Sequence, residues 1–283
     1  ESRRSFLAHS ALGSALGSSL LTAGALVPLE ASAQTSAGPA PAVVGQAHWT
    51  YKKVGSESVK LFMWNKKLAK PSTGVAAAPK GTIVFVHGSS MASTPVFDLQ
   101  VSGRDDSSLM DWFARQGYDT WCFDCEGYGR SDKTRNVNAN VACGADDMAA
   151  VSEYIMKLNG GKKLLTYGAS SGALRTALFA QKHPERIARM VLDAMVWTGQ
   201  GSPTLAERKK RLPAYLASNR RAIDRDMIRS IFTRDHPGTS DMSVVETFAD
   251  AVLALDNSVP TGTYIDMSAN MPVCDPEKIN VPT

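Results

Sequence analysis

The chain of 283 residues is 43% hydrophobic and 20% charged, which is ample for one domain with a large core. Its formal net charge is only +4, and charges of both signs are mixed along the chain. This balance gives no reason to expect nucleic acid or another acidic polymer as a partner.

Residues 1–33 predict an export signal. The pair Arg3-Arg4 precedes a mildly apolar stretch rich in alanine, glycine, serine and leucine, and Ala31-Ser32-Ala33 fits a cleavage site. The pattern resembles a twin-arginine signal, so we expect cleavage near Ala33 and a periplasmic or secreted location. The glycines and serines make the stretch a poor membrane anchor, so stable membrane insertion is not expected. An ordinary amphipathic amino-terminal helix is the alternative.

Residues 34–46 contain two prolines and predict a flexible lead-in. The next residues predict two antiparallel strands, followed by a buried strand that ends at His87. A helix, a fourth strand and a second helix come after it. The apolar run before His87 is continuous, as in a parallel sheet that is covered on both faces. The predicted ranges are 47–54, 59–67, 81–87, 107–116, 118–124 and 145–158.

The segment 168–172, Gly-Ala-Ser-Ser-Gly, predicts a strand, a tight turn and a helix. A strand-length apolar run precedes it at 163–167, and apolar residues at helical spacing follow it as far as Pro184. A serine between two glycines at such a junction is typical of a nucleophile elbow, whose strained turn exposes Ser170 above the sheet edge. The alternative is a glycine-rich turn without chemistry.

The alternation of strands and helices continues with a sixth strand at 187–194 and predicts a mostly parallel sheet. From Gly199 to about Met271 the strand pattern stops, and the ranges 214–231 and 243–255 predict helices. The basic run 208–211, Arg-Lys-Lys-Arg, lies in a predicted helix, and we interpret it as a solvated face.

Three motifs occur in order along the chain: His87-Gly88 after the third strand, Asp-x-x-Gly-x-Gly-x-Ser at 124–131 after the fourth, and the elbow at 168–172 after the fifth. From about Trp49 to its last residue the chain therefore resembles the α/β-hydrolase family. The resemblance implies an α/β-hydrolase core over 47–198, a mostly parallel central sheet with helices on both faces, and the start of a return to the core at 273–283.

For 199–272 the resemblance implies a helical cap over the carboxyl ends of the strands, where it would wall the pocket and influence substrate range. A plain surface insertion is the alternative. The family's seventh and eighth strands are not present before Thr283, so we expect the chain to be a carboxyl-terminally truncated fragment.

The resemblance also implies site residues. Ser170 is the candidate nucleophile, the backbone amides of Ser89 and Ser171 are the candidate oxyanion hole, and His87 shapes the oxyanion loop. The family's acid and histidine follow its last two strands, so we expect both beyond Thr283 and expect the chain as given to be inactive. His236 is the weaker candidate for the base, and Asp193 is the weaker candidate for the acid.

The function that these residues imply is an exported serine hydrolase, most simply a carboxylic-ester hydrolase that forms an acyl-serine intermediate with a small ester-like substrate. No metal or organic cofactor is implied. The alternatives are a peptidase or a carbon–carbon bond hydrolase of the same fold, and a non-catalytic binding protein that kept the fold.

Export would place the four cysteines in an oxidising space. Three full pairings are possible, and the sequence does not choose among them. The cysteines are Cys122, Cys125, Cys143 and Cys274.

Overall fold

A computed structural model describes residues 42–70 and 77–283. The predicted export signal at 1–33 and the predicted lead-in as far as residue 41 lie outside the described residues. Among the described residues, no helix has both the length and the apolar character that are needed to cross a bilayer.

A six-stranded sheet forms the centre of the described fold, with the strand order β1-β2-β4-β3-β5-β6. β1 pairs antiparallel with β2, and β2 pairs antiparallel with β4, whereas the other neighbours are parallel. The sheet is therefore mostly parallel, as predicted. The strands are β1 Val43–Val54, β2 Glu57–Leu68, β3 Thr82–Val86, β4 Asp119–Phe123, β5 Leu164–Ala169 and β6 Ile187–Asp193.

β3 lies in the middle of the sheet and is buried along its whole length. Its alternate residues enter two different cores, because successive side chains of a strand point to opposite faces. Val84 and Val86 belong to the larger core, and Ile83 and Phe85 belong to the smaller one. Burial on both faces is the reason that this strand reads as a continuous apolar run.

Helices cover both faces of this sheet, which agrees with the prediction. The smaller core includes residues of α1 and α2, and the larger core includes residues of α3 and α4. α3 begins four residues before its predicted start because the Asn140 side chain accepts the Cys143 amide at 2.9 Å and caps it. The helices are α1 Ser93–Phe97, α2 Leu109–Arg115, α3 Val141–Leu158 and α4 Ser171–Lys182.

The segment after β6 contains five helices and one small antiparallel sheet among the described residues. The helices are α5 Pro203–Lys210, α6 Leu212–Leu216, α7 Arg225–Thr233, α8 Met242–Leu253 and α9 Gly262–Ala269, and the two paired strands are β7 Arg220–Ala222 and β8 Ser258–Pro260. Two 3-10 turns, Pro184–Arg186 and Pro276–Lys278, complete the elements.

The prediction of one helix over 214–231 is wrong, and so is the prediction that strands stop after residue 199. β7 interrupts the range because residues 220–222 pair with residues 258–260, which lie far along the chain. A new helix then begins where the Asp224 carboxylate accepts the Met227 amide at 2.7 Å. The helical periodicity of this range carried no information on the distant pairing partner.

The carboxyl end of α8 connects this segment to the loop after β4. The Asp256 carboxylate accepts the Gly129 amide at 2.8 Å and pairs with the Lys133 ammonium at 2.6 Å. Because Asp256 is buried, these two bonds satisfy a charge that would otherwise be costly to remove from water. They hold the segment against the core.

The close backbone contact at Gly172 predicts that a side chain at this position would strongly destabilise the fold. A Cβ added at Gly172 would lie 2.1 Å from the carbonyl oxygen of Val86 and 2.7 Å from that of His87, so β3 or α4 must move. We expect Gly172→Ala to lower the free energy of unfolding by about 3 kcal/mol or more in urea titrations.

Gly81→Ala is the matched control, because its added Cβ would meet the movable side-chain end of Leu165 at 3.2 Å. We expect this control to cost less than about 1 kcal/mol. Equal stability of the two variants would contradict the close approach of α4 to β3.

Candidate active site

Ser170 lies in a strained turn between β5 and α4. Its φ is 56° and its ψ is −121°, a backbone conformation that a residue with a side chain seldom adopts. The Ser170 amide donates to the Asp193 carbonyl at 2.9 Å, which ties the turn to the end of β6. The Ser170 Oγ makes no hydrogen bond with any group of residues 42–70 and 77–283, and it faces a cleft.

Gly168 makes this turn possible from the strand side. A Cβ there would lie 2.5 Å from the Gly172 carbonyl oxygen and 2.6 Å from Thr176 Oγ1. Together with Gly172, it lets the chain reverse directly from strand to helix. The strand, turn and helix therefore have the arrangement that the sequence predicts, while the role of Ser170 as nucleophile stays a prediction.

The two residues predicted to supply the oxyanion hole are in direct contact. The Ser89 hydroxyl donates to the Ser171 Oγ at 2.8 Å, and both side chains are buried. Ser171 begins α4, so its amide has no carbonyl within the helix to bond. The Ser89 amide also donates to no group in the described part of the chain. Both amides are thus left without a partner among the described residues, on two residues whose side chains are in contact.

His87 is fully buried beneath this loop. The Cys125 amide donates to its Nε2 at 3.0 Å, so its proton is on Nδ1, which donates to the Gly88 carbonyl at 2.8 Å. Burial, followed by the positive charge of Arg175, lowers the pKa of His87 to about 3. Both nitrogens are occupied and the ring stays neutral, so His87 positions the loop and is not available as a base.

Arg175 is a site residue that the sequence reasoning missed. It is fully buried in α4, and its Nη1 donates to the His87 carbonyl at 2.8 Å and to the Gly88 carbonyl at 3.4 Å. Gly144 of α3 leaves room for it, because a Cβ there would lie 2.5 Å from Arg175 Cδ. Its position on the apolar face of the helix after the elbow is the one sequence signal that indicates a buried role for this arginine.

A cleft of about 770 Å³ opens above Ser170. Its base is formed by the turn after β3 and the elbow, and its walls come from α5, β7, α7 and α9. The residues of the base include Gly88, Ser89, Ser90 and Ser170, and those of the walls include Arg208, Arg221, Met227 and Tyr264. The segment at 199–272 therefore lines the cleft, as a cap would.

The histidines of the described residues lie elsewhere. His236 is exposed between α7 and α8 and is not among the residues that line the cleft. His48 Nδ1 bonds the Tyr154 hydroxyl at 3.0 Å, and the His183 ring lies against Glu185 at 3.4 Å. Together with the buried His87, these positions leave Ser170 without an imidazole partner among the described residues.

Asp193 is the last residue of β6, and its carboxylate accepts the Tyr167 hydroxyl at 2.7 Å. It makes no contact with a histidine in the described chain, so the structure does not bring the two weaker triad candidates, His236 and Asp193, together.

The Asp-x-x-Gly-x-Gly-x-Ser motif builds a loop. The buried Asp124 carboxylate accepts the Ser93 hydroxyl at 2.6 Å and the Arg130 amide at 2.9 Å. A Cβ at Gly129 would lie 2.1 Å from Asp124 Oδ2, so only glycine fits there. The Ser131 hydroxyl accepts the Phe62 amide at 2.9 Å. The motif thus fastens the loop after β4 to α1 and β2.

One cluster has the donor atoms that a metal ion would need. Oxygen and sulfur atoms of Glu126, Cys143 and Asp147 lie within 4.8 Å of one another. The Lys52 ammonium lies among them, 2.8 Å from Glu126 and 2.6 Å from Asp147, and supplies the positive charge itself. Burial and then Asp147 raise the pKa of the Cys143 thiol to about 12, which keeps it protonated. The cluster fits a buried ion pair better than a metal site.

All four cysteines lie within the described residues, and all four are free thiols. None of the three possible pairings is formed in this structure.

The sheet order, the covering helices and the strand–turn–helix junction define an α/β-hydrolase fold, and the chain is a hydrolase of this class. Residues 77–277 match the family described as serine aminopeptidase, S33. Because this match spans well over half of the chain, the protein belongs to that family. A comparison with curated proteins finds no match.

Solved structures with the same fold include a bromoperoxidase from Bacillus anthracis, with a TM-score of 0.54, 15% identity, and coverage of 83% of this chain and 79% of that chain. A thermostable carboxyl esterase from Bacillus coagulans has a TM-score of 0.51 and 14% identity, with coverage of 80% and 72%. A thioesterase domain from the curacin biosynthetic pathway has a TM-score of 0.50 and 15% identity, with coverage of 84% and 82%. At these identities the likeness establishes the fold alone.

The buried neutral His87 predicts a pH dependence of stability. An unfolded histidine takes up a proton below about pH 6.5, whereas the folded ring does so only near pH 3. The unfolded state therefore binds more protons in this window, and His87 contributes a loss of up to about 1.4 kcal/mol of stability per pH unit as the pH falls through it.

Urea unfolding at a series of pH values measures this slope. We expect His87→Asn to be less stable at pH 7.5 but to have a flatter slope below pH 6.5, whereas the exposed His236→Asn should keep the slope of the unmodified protein. A slope that is unchanged in His87→Asn would contradict the assigned proton positions.

Proposed function

We propose that this hydrolase cleaves carboxylic esters through an acyl intermediate on Ser170. One observation carries the proposal: the Ser170 hydroxyl faces a cleft from a strained elbow, and neither it nor the Ser89 and Ser171 amides have a hydrogen-bond partner among the described residues. Serine at this position suits acyl transfer, because its oxygen can form an ester with the substrate acyl group and release it to water.

In the proposed reaction, Ser170 Oγ attacks the ester carbonyl carbon while its proton passes to a base. The carbonyl electron pair moves to the oxygen, where the Ser89 and Ser171 amides stabilise the negative charge; one such donor is worth about 3 kcal/mol of barrier lowering. The intermediate then expels the alcohol, which takes the proton from the base. Water repeats the sequence on the acyl-serine and releases the carboxylic acid.

We propose that the base and its orienting acid come from outside the described residues, because no described imidazole contacts Ser170. Without a base the hydroxyl remains a weak nucleophile. We therefore expect slow ester turnover from any form of the protein in which that base does not reach Ser170.

Three alternatives to an ester hydrolase remain. A peptidase is supported by the description of the family, serine aminopeptidase, and a carbon–carbon bond hydrolase would use the same elbow. A non-catalytic binding protein is supported by the absence of an imidazole beside Ser170 among the described residues. The elbow strain favours catalysis over binding, because a binding protein has no need of a serine held in this conformation.

Labelling by a fluorophosphonate tests the nucleophile. The protein purified from its own host should be labelled at Ser170, and Ser170→Ala should lose the label together with the hydrolysis of p-nitrophenyl butyrate. Ser230→Ala is the control, since this serine lines the same cleft but donates to the Met227 carbonyl within its helix at 2.6 Å. Label that persists in Ser170→Ala, or esterase activity that persists there, would overturn the assignment.

The paired arginines and Ala31-Ser32-Ala33 motivate a second proposal, that the protein is exported and cut after Ala33. Cell fractionation and amino-terminal sequencing should find a mature protein that begins at Gln34. A cytoplasmic product that retains Arg3 and Arg4 would contradict export.

A further inference from the structure

The cleft above Ser170 is strongly basic. Four arginines line it, Arg208, Arg211, Arg221 and Arg234, and only two carboxylates do, Glu207 and Asp224. Glu207 pairs with Lys210, and Asp224 accepts an amide at the start of α7. Because four guanidinium groups face two carboxylates among the described lining residues, the cleft keeps an excess of positive charge.

Three of these arginines make no ion pair with a described residue. Arg234 pairs with Asp235 at 3.3 Å, but Arg208, Arg211 and Arg221 have no carboxylate partner in that part of the chain. Exposed arginines often lack an ion-pair partner, but Arg208 and Arg221 are only partly exposed and line a concave site. Charges in a concave wall of low dielectric attract counter-ions more strongly than charges on an open surface.

Tyr264 holds two of the charges together. The guanidinium carbon of Arg208 lies 4.2 Å from the centre of its ring, and that of Arg221 lies 4.1 Å from it. The attraction of each guanidinium to the ring holds both groups near it, although the two like charges repel each other. Burial raises the pKa of Tyr264, but the arginines and the Ser90 hydroxyl outweigh burial and leave the pKa below its usual value.

Arg221 also contacts the turn that carries the candidate oxyanion hole. Its Nη2 donates to the Ser90 Oγ at 2.7 Å and to the Ser89 carbonyl at 3.2 Å. Its Nε is buried and has no hydrogen-bond partner in the described chain. A buried donor without a partner is costly, so this guanidinium has one hydrogen-bond donor unused where it contacts the turn after β3.

Helical spacing directs the four residues of the basic run at 208–211 to different surfaces. Residues three apart share a face of a helix, so Arg208 and Arg211 both line the cleft. Lys209 lines a different hollow, and Lys210 pairs with Glu207. Arg208 departs from the predicted solvated face, because it is partly buried against Tyr264, whereas Arg211 lines the cleft and is exposed.

From this arrangement we propose that the cleft takes esters that carry a second, anionic oxygen group, a carboxylate or a phosphate, which Arg208, Arg211 and Arg221 bind while the ester carbonyl lies at Ser170. Guanidinium groups match both anions because their parallel N–H donors bind two oxygens at once. This inference rests on the proposed function for the location of the ester and adds the class of substrate.

Calorimetry with the Ser170→Ala protein tests binding apart from catalysis, because the ligands stay intact. The probes are monomethyl adipate, which has one ester and one carboxylate, and dimethyl adipate, which has no charge. We expect monomethyl adipate to bind about tenfold tighter or more at low salt, and the advantage to shrink at high salt. Methyl 5-phosphonooxypentanoate shows whether phosphate is preferred to carboxylate, and an advantage for either anion supports the proposal.

Single and triple arginine-to-glutamine variants locate the anion site. We expect Arg211→Gln, Arg208→Gln and Arg221→Gln each to reduce the advantage of the anion and the triple variant to abolish it. Arg211 is exposed and has no described side-chain partner, so its substitution should leave the fold intact. Lys209→Gln removes a charge from the same helix but outside the cleft, and it should keep the full advantage.

Equal binding of the charged and uncharged esters, or an advantage that survives the triple variant, would overturn the inference. Turnover by the protein purified from its own host, with Ser170 intact, separates this failure from failure of the proposed function. Hydrolysis of dimethyl adipate without discrimination would leave an esterase with no anion site. Selective binding of monomethyl adipate without hydrolysis of either ester would leave an anion site without esterase activity.

Discussion

The arrangement of the candidate site depends on how closely the backbone of α4 approaches the backbone of β3. Gly172 allows contact at a distance that no side chain could tolerate, and Gly168 allows the chain to reach that contact directly from β5. The approach brings Ser171 against Ser89, whose hydroxyls bond at 2.8 Å. It therefore joins the start of α4 to the turn after β3 through these two side chains.

Burial then makes this arrangement rigid. Arg175 reaches from α4 to the carbonyls of His87 and Gly88, and His87 accepts the Cys125 amide from the loop after β4. Each of these groups is removed from water, and a lost partner would leave a polar group unsatisfied in the interior. The turn after β3 is thus held both by α4 and by the loop after β4, so its backbone is fixed before any substrate arrives, as the proposed stabilisation of a transition state would require.

The segment between β6 and the end of the chain contributes chemistry of a different kind. It places no described carboxylate or imidazole within hydrogen-bonding distance of Ser170 Oγ, but it brings Arg208, Arg221 and Tyr264 over the cleft. The core would therefore perform the acyl transfer, and the cap would select the substrate by charge. Such a division would let the cap change its specificity without disturbing the buried contacts beneath the elbow.

The sequence by itself determined the order of the core elements, the buried character of β3 and the strand–turn–helix junction at Ser170, because apolar periodicity and glycine positions report local burial and local backbone geometry. Tertiary structure decided what depends on distant partners. It paired β7 with β8 inside a predicted helix, buried Arg175 beneath the site and turned Arg208 and Arg211 into the cleft. Residues 175, 208 and 221 meet the turn after β3 or its cleft only through the chain topology, which no local pattern of charge or hydrophobicity encodes.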